Sequence, residues 1–223
     1  MAQHHHEDLF ENRKQFQLER LILFSDAVFA IAITLLVIEI RVPEIDYATN
    51  NLLAHLRDEL LLRFPQFFGF ILSFAVIGQF WTNHHRLFGL VNNFNNGLLW
   101  LNLHMLFWIV LVPFTSGLNS HYGGLDLVWQ IYSLNLFMIG LSLFFLYRYI
   151  GNPKRNLSEL AHDRLSRKYS YLRSLSVASI FLLGAIFASF HGHFFHQAAR
   201  FVYVLIPFVL IIINRAASKH IAK

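Results

Sequence analysis

Arg20-Leu21-Ile22-Leu23-Phe24-Ser25-Asp26-Ala27-Val28-Phe29-Ala30-Ile31-Ala32-Ile33-Thr34-Leu35-Leu36-Val37-Ile38 carries only two formal charges in nineteen residues. With its flanks, from about Leu18 to Ile40, the run reaches the roughly 20 residues needed to cross a hydrocarbon core of about 30 Å. It is too long for the apolar region of a signal peptide. The preceding Met1-Ala2-Gln3-His4-His5-His6-Glu7-Asp8 has acidic residues and no small-residue cleavage site, so the run is expected to stay in the mature protein. The three early histidines receive no function.

The rest of the chain repeats this character. Of 223 residues, 56% are hydrophobic and 14% charged, and 24 are phenylalanine. Soluble domains carry about 25% charged residues, because their exposed shell needs polar cover that a lipid-facing shell does not. The formal charge of +5 therefore reads as basic loops beside an anionic membrane surface and not as a nucleic-acid signal. Cysteine is absent, which excludes disulfides, thiolate metal sites and cysteine nucleophiles.

Five further apolar stretches complete an all-α, polytopic reading with six transmembrane helices in one domain, residues 1–223. They run from about Gln66 to Phe88, Gly97 to Leu118, Leu125 to Tyr149, Tyr171 to Phe190 and Ala198 to Asn214, the last slightly short. Pro113 and Pro207 predict kinks, tolerable where neighbouring helices satisfy the freed backbone groups. A short surface helix is expected around Leu52 to Leu62. Gly151-Asn152-Pro153 predicts a stop, followed by a basic helix from Asn156 to Lys168 capped by Asn156 or Ser158. With this span order, fourteen Lys and Arg lie on the side of the N-terminus and four (Arg41, Arg57, Arg63, Arg200) on the other. That asymmetry places both termini in the cytoplasm.

Polar groups inside a membrane are costly and need a partner or a task. Ser25 and Asp26 in the first span, the run Gln79 to Arg86 ending the second, and Asn92 to His104 opening the third fall at a similar depth. This predicts one network in which Asp26 takes donors from His84, His85, Arg86 or Asn102. At 100° per residue, Asp26 stands about 140° from Ile31, about 180° from Leu35 and about 120° from Ile38, and Thr34 joins their stripe. If Asp26 faces its own subunit, the Ile31-Leu35-Ile38 face meets lipid, another subunit or a pore.

Arg20 followed after three residues by Phe24-Ser25-Asp26, together with Trp81-Thr82-Asn83-His84-His85-Arg86-Leu87-Phe88, resembles the prokaryotic relatives of the endosomal and lysosomal potassium channel, the transmembrane protein 175 family. The resemblance implies a potassium-selective leak channel without the carbonyl filter loop of ordinary potassium channels. It implies a homotetramer whose first spans line the pore. Carried over by position, Ile31 forms the narrowest apolar ring, Leu35 and Ile38 form further rings, and Thr34 is a hydroxyl-bearing position tied to selectivity. Arg20, Phe24, Ser25 and Asp26, with His84, His85 and Asn102, bind the first span to the second and third. Glu39 marks the outer mouth, with Glu44 and Asp46 nearby. No cofactor is expected beyond permeant potassium, and the partners are further copies of the chain and the bilayer of a prokaryotic cell.

A proton- or cation-coupled secondary transporter is the alternative. Its usual signature, interrupted helices in matching halves, is missing from the sequence. Glu-x-x-His, Gly-x-Ser-x-Gly and paired intramembrane aspartates are also missing, so no enzyme chemistry is expected. His191-Gly192-His193 with His196 matches no strong zinc or copper spacing, and no metal site is assigned.

Overall fold

A computed structural model of the chain describes residues 2–46, 51–190 and 202–221. Among them the architecture is all-α, with no strand and one isolated bridge, Val91 to Ser158. The helices are α1 (Ala2–Ile38), α2 (Leu52–Leu62), α3 (Phe64–Phe88), α4 (Asn96–Val110), α5 (Val112–Tyr122), α6 (Asp126–Ile150), α7 (Arg164–Phe187) and α8 (Leu205–Ile221). The stretches of α1, α4 with α5, α6 and α7 covering Arg13–Ile38, Asn96–Tyr122, Asp126–Ile150 and Arg164–Phe187 are each long and apolar enough to cross a membrane. Counting α2 and α3, which meet at 42°, as one bent span raises the number to five. The chain is an integral membrane protein.

α1 is 37 residues long, about 55 Å at 1.5 Å per residue, so it outruns a hydrocarbon core of about 30 Å. Its stretch fit to cross a membrane, Arg13–Ile38, starts ahead of the expected Leu18, and the helix continues back to Ala2 with no break. The third expected span divides at Leu111 into α4 and α5. Pro113, in the first turn of α5, has no N–H to return to the preceding turn and its ring crowds that turn's carbonyl. Asn95 starts α4 by accepting from the Leu98 N–H at 2.9 Å, the ordinary work of an N-cap.

Two local expectations are corrected. The helix expected from Asn156 to Lys168 does not form over its first half. Asn156 is left-handed at φ 48°, and residues 153–155 and 159–161 make two 3-10 turns. The segment docks instead: Asn92 N–H donates to the Leu157 carbonyl at 2.8 Å and the Ser158 hydroxyl to the Ile150 carbonyl at 2.9 Å, while Leu157, Leu160 and Ala161 are buried. α7 starts only at Arg164, capped by Asp163, and runs without interruption into the fifth span. Pro207 sits in the first turn of α8, where a missing N–H costs nothing, so it opens that helix and does not kink it.

α1 packs on α3, α4 and α5, and α6 packs on α4, α5 and α7, which in turn carries α8. The core runs through Phe29, Leu36, Ile77, Leu98, Met105, Ile139 and Leu146. Since lipid tails are as apolar as leucine, helices here are held by close approach and hydrogen bonds more than by water exclusion. Gly140 of α6 shows the close approach: a Cβ there would stand 3.1 Å from Cα and Cβ of Ala178 on α7.

Candidate functional site: the two faces of the first helix

The heptad-like spacing of α1 divides it lengthwise. Leu18, Leu21, Ser25, Phe29, Ala32 and Leu36 are buried against the rest of the chain. On the far side Ile31, Leu35 and Ile38 are 57%, 38% and 68% exposed, and Thr34 is exposed with them. The two stripes follow steps of three and four residues, so each keeps to one face of a 3.6-residue helix.

The rotation of α1 is pinned by a directed chain of hydrogen bonds. Asn102 of α4 donates from Nδ2 to Ser25 Oγ at 2.8 Å, and Ser25 donates to the Leu21 carbonyl at 2.7 Å. With its amide nitrogen committed, Asn102 presents Oδ1 to His84 Nε2 at 2.7 Å, which assigns the proton to Nε2 of the imidazole. Ser25, His84 and Asn102 are essentially inaccessible. Phe29 and Phe88 flank the His84 ring, with centroids at 5.4 and 4.4 Å. One residue from each of α1, α3 and α4 thus closes a polar triad inside an apolar bundle.

Asp26 lies just outside this triad. Its partner is the indole N–H of Trp81, which donates to Oδ1 at 2.9 Å, and not His84, His85, Arg86 or Asn102 as the sequence reading has it. The geometry is one of register: Trp81 stands one turn before His84 and His85 on α3 and reaches the edge of α1, while His84 is taken by Asn102. His85 lies outside, its ring 5.6 Å from that of Trp81. Trp81 was visible in the polar run of the second span, and an indole that can only donate is a natural partner for a half-buried carboxylate.

Arg20 and Phe24 stand on the exposed side, away from the triad. The Arg20 guanidinium lies 5.8 Å above the ring of Phe16, and Phe24 is half exposed. The Thr34 hydroxyl donates to the Ile31 carbonyl at 2.8 Å, so its oxygen is left to act as an acceptor. Glu39 continues the buried stripe, not the exposed one: its carboxylate rests on Gly117 of α5, where any Cβ would collide with it. Among the described residues no group of three His, Cys, Asp or Glu is arranged to hold a metal. His191, His193 and His196 lie outside the described residues.

The model of the family described as endosomal/lysosomal potassium channel TMEM175 matches residues 20–113, from the start of the first span to the proline of the third. A potassium channel of Chryseobacterium sp. (strain P1-3) is 43% identical over 97 residues, 44% of this chain and 46% of the relative. Another, of Chamaesiphon minutus, is 39% identical over 114 residues, 51% of this chain and 55% of the relative. The match spans about half the length of these curated relatives. The crystal structure of a lysosomal potassium-selective channel TMEM175 homolog from Chamaesiphon minutus superposes with a TM-score of 0.72 at 25% identity, covering 89% of this chain and 98% of that one.

Proposed function

Because the chain belongs to the TMEM175 family as a prokaryotic member, we propose that it is a potassium-conducting channel, a homotetramer whose four α1 helices surround the pore. The observation that carries this reading is the two-faced α1: a helix tied to its own subunit by Ser25 leaves Ile31, Leu35 and Ile38 uncovered. Fourfold repetition about an axis on that side turns the stripe into three stacked apolar rings. In this arrangement six spans, with α3 as the second and α8 completing the sixth, return both termini to the cytoplasm, and the host membrane is a prokaryotic cell membrane.

The mechanism is then physical and needs no cofactor. Four isoleucines converging at Ile31 exclude water from a narrow neck, and a dewetted neck is a barrier to a hydrated ion. Opening widens the ring enough for partly hydrated potassium, with the acceptor oxygen of Thr34 one turn beyond. Glu44 and Asp46, exposed just past the outer end of α1, raise the local cation concentration. Glu39, turned to α5, contributes through its field and not as a ring ligand.

The test is flux and current from the purified chain. Unitary current steps in planar bilayers are expected, whereas saturable flux without steps favours the coupled transporter. Replacing Ile31 with Asn is expected to raise potassium leak from liposomes severalfold and to lower discrimination against sodium. Flux indistinguishable from wild type removes Ile31 from the neck.

A further inference from the structure

A second feature is lined by no residue of α1 and takes no part in conduction as proposed above. Where the ends of α3 and α6 meet the start of α7, a small pocket of ≈ 50 Å³ is lined by Asn83, Arg86, Tyr147, Ser170, Arg173 and Ser174 among others. Directly continuous with it, sharing Phe80, Asn83, Val177 and Leu210, is a cleft of ≈ 210 Å³ whose lining is almost wholly apolar. The wall supplied by α3 reaches from Leu72 to Arg86, about 21 Å along the helix. Its apolar part, from Leu72 to Asn83, is about 16 Å, close to half of a hydrocarbon core of about 30 Å.

The polar end is built for an anion. Arg86 and Arg173 both line it, and no carboxylate does. Among the described residues the ion pairs are Arg57 with Asp58 and Arg63 with Glu59, neither of which involves these arginines. Arg173 Nε is buried without a hydrogen-bond partner, an arrangement that costs free energy until an acceptor arrives. Ser174 is already satisfied, donating to the Ser170 and Tyr171 carbonyls, so the unmet demand is for negative charge. Guanidinium groups match phosphate oxygens in geometry as well as in sign.

We infer that this groove holds an anionic phospholipid, its phosphate between Arg86 and Arg173 and one acyl chain along the cleft between α3 and α8. Charge sets the head, and the length and apolarity of the cleft set the tail. The two arginines count among the basic residues on the side of the N-terminus, so the lipid belongs to the cytoplasmic leaflet, where basic pockets between helices receive anionic headgroups. The inference rests on the chain being a membrane protein, its leaflet on the N-terminal side facing the cytoplasm, and it is independent of ion conduction.

The test uses the purified full chain in neutral detergent, with phosphatidylglycerol, phosphatidylcholine or inorganic phosphate added, and reads bound lipid by native mass spectrometry and melting temperature. Phosphatidylglycerol is expected to remain bound and raise the melting temperature, and phosphatidylcholine to do neither. R86Q combined with R173Q is expected to weaken phosphatidylglycerol retention about tenfold. A75W, which narrows the apolar cleft and leaves both arginines, is expected to weaken it as well. R173K controls for folding and should retain most of the lipid. Undiminished retention in the double variant, or inorganic phosphate stabilising the chain as strongly as the lipid, overturns the assignment. Potassium flux measured on the same variants separates the two ideas: lost lipid with intact flux is the expected dissociation, and retained lipid with lost flux counts against this groove and not against conduction.

Discussion

Asn102 decides which way the first helix faces. Its amide is the only group in contact with both Ser25 of α1 and His84 of α3 within the buried triad. Truncation to alanine leaves the buried imidazole N–H without an acceptor and the Ser25 oxygen without its donor, though Ser25 still donates to the Leu21 carbonyl, a loss on the order of 1 kcal/mol for each unmade bond. Asn102→Ala is therefore expected to lower the melting temperature in detergent by several degrees and to loosen α1. A variant as stable as wild type removes the triad from the account of helix packing. At Asp26 the expectation differs, because its one partner is an indole at the rim. Asp26→Asn keeps an acceptor oxygen and is expected to leave stability nearly unchanged, whereas Trp81→Phe removes the only donor observed and is expected to cost more. The reverse order in a melting experiment would point to a partner other than Trp81.

At the scale of the element, helix starts and helix contacts carry the information. α7 begins where Asp163 accepts from the N–H groups of Leu165 and Ser166 at 2.9 and 3.1 Å. The hydroxyl and N–H of Ser166, with the Leu165 N–H, hold the Asp163 carboxyl below its usual range. Because the folded value lies below the unfolded one of about 3.9, the cap's contribution is complete above that value and is lost as pH falls through the folded one. Melting temperature is therefore expected to drop more steeply below about pH 4 in wild type than in Asp163→Asn, which caps without titrating. Parallel acid profiles would dismiss the cap. The α6–α7 seam makes a second, steric demand. Gly140→Leu forces a branched side chain against the Ala178 backbone, and overpacking of this kind costs about 1–3 kcal/mol. Poor yield or a lowered melting temperature is expected, with Gly140→Ala intermediate.

For the whole molecule, the question is what covers the exposed stripe of α1. The chain contains no cysteine, so a single introduced thiol reports on its own surroundings. Disulfide formation requires Cα atoms within roughly 7 Å. Under mild oxidation in membranes, Ile31→Cys is expected to give a dimer band on a denaturing gel, because symmetry-related copies meet at the neck of the proposed tetramer. Leu36→Cys, on the buried face, is expected to stay monomeric. A band from Leu36→Cys and none from Ile31→Cys would reverse the assignment of the two faces and with it the pore.

What the sequence settled by itself is whatever depends on local composition and period. Runs of apolar residues near 20 long mark the helices that are long and apolar enough to cross a membrane, Arg20 with Phe24-Ser25-Asp26 points to the family, and α2 covers the expected Leu52–Leu62. The angle between Asp26 and the Ile31 stripe also follows from spacing alone, at 100° per residue, but which side turns inward is set by the contacts of Ser25, Asn102 and His84. Tertiary structure decided the pairings. Nothing in the order of residues says that Trp81 reaches Asp26 before His84 does, that Glu39 turns onto Gly117, or that residues 156–163 find better partners in the loop after α3 than in a helical turn of their own. Those outcomes depend on side chains from separate helices competing for the same few acceptors at fixed distances, and only the packed bundle sets the distances.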